Sequence, residues 1–217
     1  MSAPKKTIVA PSILSADFTR LKDELQAIEA AGADWVHVDI MDGHFVPNLT
    51  MGPFIVEAFN KLTDLPLDCH LMIQQPERYV ERFVKAGADW ISVHPEAEGN
   101  PRLALEIAKK HGAKAAMALK PATAVWAADG VKDLIEMLLI MTVNPGFSGQ
   151  EMMTHCLSKY AEARKRFGPD LLLEIDGGVK ASNVAAVREA GVQVIVAATA
   201  VFGERDYTAA IRGLRGN

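Results

Sequence analysis

The chain carries only two cysteines, Cys69 and Cys156, among 217 residues. That is too few for a disulfide framework or a thiolate metal cage, and it fits a reducing compartment. No basic run occurs, and 27 acidic residues against 23 Lys plus Arg give a formal charge of −4. Nothing therefore stands ready to neutralise a nucleic-acid backbone or an anionic bilayer. No unbroken apolar run exceeds residues 137–141 (MLLIM), far below the roughly 18 residues that span a bilayer. The opening MSAPKK runs into the chain without the apolar stretch of a signal peptide or the Arg and Ser enrichment of a transit peptide. These absences predict a soluble cytoplasmic protein with neither a nucleic-acid nor a membrane partner. No Pro/Ser-rich linker or low-complexity segment breaks the chain, so residues 1–217 read as one domain.

What the chain does contain is a hydrophobic fraction of 49% beside 23% charged residues, enough to bury a sizeable core. It also contains a repeat. Residues 31–39 (AGADWVHVD) are echoed at 86–94 (AGADWISVH) and more faintly at 190–198 (AGVQVIVAA) and 111–119 (HGAKAAMAL). In each copy an apolar-periodic stretch ends at a glycine, Gly32, Gly87, Gly112 or Gly191, and a Val/Ile/Ala-rich run follows. Glycine is the residue type that best closes a helix in the left-handed conformation, so the repeated element is a junction from helix to strand. The first two copies start 55 residues apart, equal to two strand-helix units of about 27 residues, and eight such units account for the whole length.

Strands are predicted over 8–12, 35–40, 67–72, 90–93, 114–119, 137–143, 171–176 and 194–197. Helical patterns lie over 18–30, 76–86, 101–110, 151–167 and 182–190, with Ser182 as a candidate N-cap and Pro76 and Pro101 as first-turn residues. Alternating strands and helices demand parallel strands, in a closed barrel or an open doubly wound sheet, and the count of eight favours an α/β fold of the (β/α)8 TIM-barrel type.

Polar residues interrupt these strands mainly at their ends. His37, Asp39 and Met41 alternate and so share a side, as do Asp68, His70 and Met72. Glu174 and Asp176 are in phase ahead of Gly177 and Gly178, and Ser12 ends the first strand. Taken singly, each His reads more readily as a hydrogen-bonded core residue and each Asp as a turn cap. Taken together, two imidazoles and two carboxylates from three strands, His37, Asp39, His70 and Asp176, have the composition of a divalent-metal site of the Zn²⁺, Fe²⁺ or Mn²⁺ kind. Cys69 is adjacent to His70 and faces away from it, and Cys156 lies in a helical pattern. His94, in phase with Ser92, is either a partner of the site or a structural histidine. His44 orders its loop, while His111 and His155 are expected to face solvent. Met41, Met72 and Met141 read either as core residues or, because they adjoin the polar positions, as walls of the site. Of three glycine-bearing stretches on one rim, 144–149 (NPGFSG), 176–178 (DGG) and 196–203 (VAATAVFG), the last two follow the seventh and eighth strands, where a barrel holds a phosphate on backbone N–H groups; the alternative is plain turn chemistry.

Residues 12–18 (SILSADF), 37–53 (HVDIMDGHFVPNLTMGP), 68–73 (DCHLMI), 141–150 (MTVNPGFSGQ) and 174–179 (EIDGGV) resemble, in order and along nearly the whole chain, the ribulose-phosphate 3-epimerase family. The segment 41–48 (MDGHFVPN) is the most specific of them. The resemblance implies a TIM barrel of the pentose phosphate pathway that interconverts ribulose 5-phosphate and xylulose 5-phosphate by inverting the carbon beside a ketone. It implies one divalent ion per subunit held by His37, Asp39, His70 and Asp176, with no organic cofactor. Asp39 would be the proton acceptor and Asp176 the donor, on opposite faces of an enediolate stabilised by a Lewis acid. Substrate contacts are implied for Ser12 and His70, and phosphate contacts for Gly146, Phe147, Ser148, Gly149, Gly177, Gly178, Ala198 and Thr199. A small phosphorylated ketose is the implied partner, and a homo-oligomer the implied assembly.

The sequence departs from the family pattern at Ser148, Ala122 and Ala198, where glycine is usual; Ala198 adds a Cβ where backbone should approach a phosphate, although Thr199 keeps a hydroxyl. Three other readings remain: an epimerase of a related ketose phosphate such as allulose 6-phosphate, a decarboxylase of the orotidine-monophosphate type, or a non-catalytic metal- and phosphate-binding barrel. The decarboxylase motif needs a Lys that residues 39–42 (DIMD) lack.

Overall fold

The computed structural model describes residues 7–216. The repeated junction has a single physical cause. Gly32, Gly87, Gly112 and Gly191 have φ of +85°, +112°, +99° and +88°, a region that L side chains rarely adopt. Each helix stops there and the chain turns into a strand. At Gly87 the Asn60 side chain also occupies the space a Cβ would need.

Eight strands result: β1 (Ile8–Pro11), β2 (Val36–Met41), β3 (Leu67–Met72), β4 (Trp90–Val93), β5 (Lys114–Leu119), β6 (Met137–Met141), β7 (Leu172–Asp176) and β8 (Val194–Ala197). They form one parallel sheet in the order β1-β8-β7-β6-β5-β4-β3-β2, and a parallel bridge between Ser12 and His37 joins its two ends. The fold is a (β/α)8 barrel. Four strands have the expected bounds. β6 is two residues shorter than expected, because Thr142 leaves the ladder to bond the carbonyls of Asp176 and Gly177.

The helices depart more from the periodic pattern. The stretch 18–30 divides into a 3-10 turn (Phe18–Arg20), capped by the Asp17 carboxylate, and α1 (Leu21–Ala30). Between β2 and β3 lies α2 (Pro53–Asn60), which the periodicity did not mark. The stretch 76–86 divides likewise into Pro76–Arg78 and α3 (Val80–Ala86). The expected helix at 101–110 is α4 (Pro101–Lys110), with Pro101 in its first turn and Asn100 as its cap. A 3-10 helix (Val125–Val131) alone links β5 to β6.

The stretch 151–167 is helical only from Thr154, with α5 at Ser158–Phe167, because the Met153 N–H is drawn to the Thr142 carbonyl at 2.7 Å. Asn183, not Ser182, precedes α6 (Val184–Glu189), and its side chain is spent on the Lys180 N–H and the Gly178 carbonyl rather than on a cap. Two further helices among the described residues, α7 (Thr199–Phe202) and α8 (Tyr207–Arg215), follow β8. No helix among the described residues is long and apolar enough to cross a membrane.

Alternation along the strands divides the interior in two. Outward residues such as Val38, Ile40, Cys69, Leu71 and Ile175 pack with the helices in the main core, which accounts for Cys69. Inward residues fill the barrel. Its N-terminal end is closed by Ala10, Trp35, Trp90, Ala116, Met137, Val194 and Val196, with the Trp35 and Trp90 rings 5.2 Å apart. Above this plug the lining turns polar.

Candidate active site

Strand register assembles the site. β2 and β3 pair so that His37 stands beside Asp68 and Asp39 beside His70, while β7 brings Asp176 beside Met141 of β6. One ligand-type atom from each of His37, Asp39, His70 and Asp176 falls within 4.8 Å of all the others. Asp39 Oδ1 is 3.4 Å from His37 Nε2 and 3.5 Å from His70 Nδ1, and Asp176 Oδ2 is 3.8 Å from His70 Nδ1. Both imidazoles are fully buried, yet His37 Nε2 and His70 Nδ1 have no hydrogen-bond partner. Leaving a buried polar atom unpaired costs about 1–3 kcal/mol. Two such nitrogens facing two carboxylates are the donor set that a divalent transition-metal ion takes.

Each imidazole is instead partnered at its other nitrogen. His37 Nδ1 lies 2.6 Å from Asp68 Oδ2, and His70 Nε2 lies 2.8 Å from His94 Nε2. His94 Nδ1 in turn reaches Glu96 Oε2 at 3.1 Å. The other carboxylate oxygen of Glu96 accepts the Lys120 N–H at 2.9 Å and the Thr123 hydroxyl. His94, left two ways by its sequence position, is thus in contact with the site. Residues 94–96 (HPE) resemble the branch that acts on related ketose phosphates, but the sequence gives Glu96 no role of its own.

Burial and charge set the two cluster carboxyls apart. Burial alone would raise Asp39, but the adjacent His37 and His70 outweigh it and hold the carboxyl well below the usual range. Burial, together with the charge of Asp39, pushes Asp176 up to about 6. Burial works against protonation of His37, yet Asp68 and Asp39 overcome it and raise its pKa. Ser12 donates to Asp39 Oδ2 at 2.5 Å, so a neutral donor also favours the anion. Below this layer Glu174 is fully buried, and desolvation followed by the charge of Asp68 raises its pKa strongly. His37, Asp68 and Glu174 form a second group with ligand-type atoms in reach of one another.

The cluster floors a cavity of about 280 Å³ open at the C-terminal end of the barrel. Met41, Met72 and Met141 line it, as do Ser12, Gly146 to Gly149, Gly177, Gly178, Ala198 and Thr199. Every expected contact residue thus lies at the cavity or in the cluster beneath it. Gly177 and Gly178 have φ of +122° and +68°. A Cβ on the first would come within 2.6 Å of Val143 and on the second within 2.5 Å of the Met152 nitrogen, so the loop after β6 can lie against them only because they are glycines. Gln75 is the one non-glycine of positive φ among the described residues. Ser148, Ala122 and Ala198 therefore lie outside the left-handed region, Ala198 with φ of −94°. Lys180 and Glu204 also line the mouth; nothing in the sequence marks Glu204, and Lys180 is marked only by its nearness to the Gly-Gly pair.

The remaining histidines lie away from the cluster. His44 is exposed and its Nδ1 bonds the Asp42 carbonyl, ordering that loop. His155 is exposed as expected, but His111 is only half-exposed, near Glu81.

A closed parallel barrel with buried imidazoles, paired carboxylates and glycine loops gathered at one end defines a (β/α)8-barrel enzyme. Residues 8–202 match the description of the Ribulose-phosphate 3 epimerase family. The chain belongs to that family and is an isomerase. It is 48% identical over 213 residues to the ribulose-phosphate 3-epimerase of Bacillus subtilis, covering 96% of this chain and 98% of that one. To the Synechocystis ribulose-phosphate 3-epimerase it is 49% identical over 216 residues, covering 97% and 94%. Among solved structures, 3-hexulose-6-phosphate synthase superposes with a TM-score of 0.68 at 24% identity, over 97% of this chain and 98% of that one. A Pyrococcus furiosus tryptophan synthase α-subunit superposes with a TM-score of 0.72 at 16% identity, over 99% and 100%. Both likenesses concern the fold.

Proposed function

We propose that the protein inverts C3 of D-ribulose 5-phosphate to give D-xylulose 5-phosphate, with Asp39 as base and Asp176 as acid. The observation that carries the reading is that Asp39 of β2 and Asp176 of β7 both face the cavity floor, and their surroundings bias them in opposite directions, His37 and His70 favouring the Asp39 anion and burial raising Asp176. Two titratable groups pushed apart by their surroundings are what a proton transfer between two faces of one carbon requires. Asp39, steadied by Ser12, takes the proton α to the ketone, and Asp176 delivers one from the other side. In the reverse direction the two exchange roles.

His37, Asp39, His70 and Asp176 would hold a divalent cation, Zn²⁺, Fe²⁺ or Mn²⁺, in support of which stand the two unpartnered imidazole nitrogens. When bound, such an ion supplies Lewis-acid stabilisation of the negative charge that develops on the substrate as the proton leaves. The methionines at the cavity wall exclude water from the reacting carbon. The backbone N–H groups of Gly177, Gly178, Ala198 and Thr199, with the loop at Gly146, Phe147, Ser148 and Gly149, would receive the phosphate. Lys180 at the mouth would add charge.

Solvent-deuterium incorporation at C3 of ribulose 5-phosphate, followed with and without chelator, tests the reading. Exchange that is lost on chelation and restored by added metal is expected; no exchange in metal-loaded protein would leave a binding function only. Running allulose 6-phosphate alongside separates the pentose from the hexose reading. A homo-oligomer belongs to the same proposal, supported by Leu49 and Phe54, exposed at 75% and 73%. Light scattering in solution tests it.

A further inference from the structure

The cluster depends on both histidines presenting a lone pair, and an imidazole can present one only if its other nitrogen carries the proton. His37 is provided for directly, since Asp68 receives its Nδ1–H. His70 is different, because its far neighbour is another imidazole, His94, which can either donate or accept. The choice is settled one step further out. Glu96 Oε2, as carboxylate, can only accept, so His94 Nδ1 carries the proton and His94 Nε2 is left bare. His94 Nε2 then accepts from His70 Nε2–H, and the lone pair of His70 falls on Nδ1, the unpartnered atom that faces Asp39 and Asp176.

We infer that Glu96 is a positioning residue that fixes the tautomer of His70 through His94. The inference rests on the proposed metal-binding role of His70. Glu96 is itself held in place from a different element. The Lys120 backbone N–H and the Thr123 hydroxyl both bind its other oxygen, and the three carbonyls of Lys120, Pro121 and Thr123 converge on Lys159 Nζ. The turn that follows the neighbouring strand β5 thus holds the carboxylate that orients His70.

Glu96→Gln makes a specific reversal. The Lys120 N–H is an obligate donor, so the single amide oxygen must turn to it and the amide NH₂ then faces His94 Nδ1. His94 would have to accept there, protonate on Nε2 and donate to His70, which would move the His70 proton to Nδ1 and aim it into the cluster. Thr123→Val removes a partner of Glu96 without inverting any bond and serves as control.

Long-range proton–nitrogen correlation spectra of the metal-free full chain read which nitrogen of each imidazole carries the proton. The expected wild-type pattern is His94 protonated on Nδ1 and His70 on Nε2; His94 protonated on Nε2 would overturn the inference without any variant. In Glu96→Gln both should invert, with Zn²⁺ affinity, measured by competition with a chromophoric chelator, falling about 10–100-fold. Thr123→Val should keep the wild-type tautomers. Unchanged tautomers or unchanged Zn²⁺ affinity in Glu96→Gln would refute the relay. Wild-type protein that shows the expected tautomers but takes up no Zn²⁺, Fe²⁺ or Mn²⁺ would refute the metal-site reading instead.

Discussion

Asp68 Oδ2 stands 2.6 Å from His37 Nδ1, with both side chains fully buried one strand apart. The contact fixes which nitrogen of His37 looks into the cluster, and its strength comes from a charged acceptor in a low-dielectric setting. Asp68→Asn keeps an acceptor oxygen but loses the charge. Metal affinity is expected to fall about 10–100-fold with the fold retained, as read by calorimetric metal titration beside circular dichroism. Undiminished affinity would assign Asp68 a packing role only.

Asp176→Asn should abolish turnover while preserving the barrel, because the amide matches the carboxyl in shape and removes a group that burial disfavours as an anion. Thermal unfolding within a few degrees of wild type, together with loss of epimerisation in a coupled assay, is the expected pair of results. An active variant would sink the two-carboxylate assignment.

Metal uptake should weaken in acid. Asp176 must be ionised to bind a cation, and its pKa is raised to about 6; His37, whose pKa is also raised, must shed the proton on Nε2. Each proton displaced costs about tenfold in affinity per pH unit below the pKa of its group. For the metal-free fold the sign is opposite. A carboxyl raised in the folded state contributes stability that is present below the ordinary carboxylate range and is lost as pH rises through about 6. Chelator competition and urea unfolding across this window should therefore slope in opposite directions.

Ala198→Gly should alter KM more than kcat. Ala198 lies outside the left-handed region, with φ of −94°, so the substitution adds freedom to the backbone that would meet a phosphate without touching Asp39 or Asp176. Steady-state kinetics on ribulose 5-phosphate distinguish the cases; a change confined to kcat would mean that the loop governs closure.

The parts of this molecule that were legible in the sequence are those in which a single residue type answers a single backbone demand. Gly32, Gly87, Gly112 and Gly191 announced the junctions because each has a left-handed φ. His37, Asp39, His70 and Asp176 stood out because alternation put them in phase inside strands that are otherwise apolar. Helix limits were less legible. Residues 151–153 fit a helical pattern, but the Thr142 carbonyl claims the Met153 N–H, a contact between segments that no local pattern encodes. The role of Glu96 is hidden from the sequence for the same reason. Its meaning lies in two hydrogen-bond steps across strands, and only register and loop geometry bring His94 between it and His70.

Ser12 and His37 meet where the sheet closes, and the seam between β1 and β2 has this one bridge, where β2 and β3 share six paired positions. The site's residues straddle that seam, with Ser12 on one side and His37 and Asp39 on the other. A ligand gripped from both sides would act as a clasp on the least-stitched join of the barrel, so occupancy and cooperativity of unfolding are thermodynamically linked. Amide hydrogen exchange in β1 and β2 would then slow on loading more than in β5 and β6, and a catalytic centre would double as the fastening of its own scaffold.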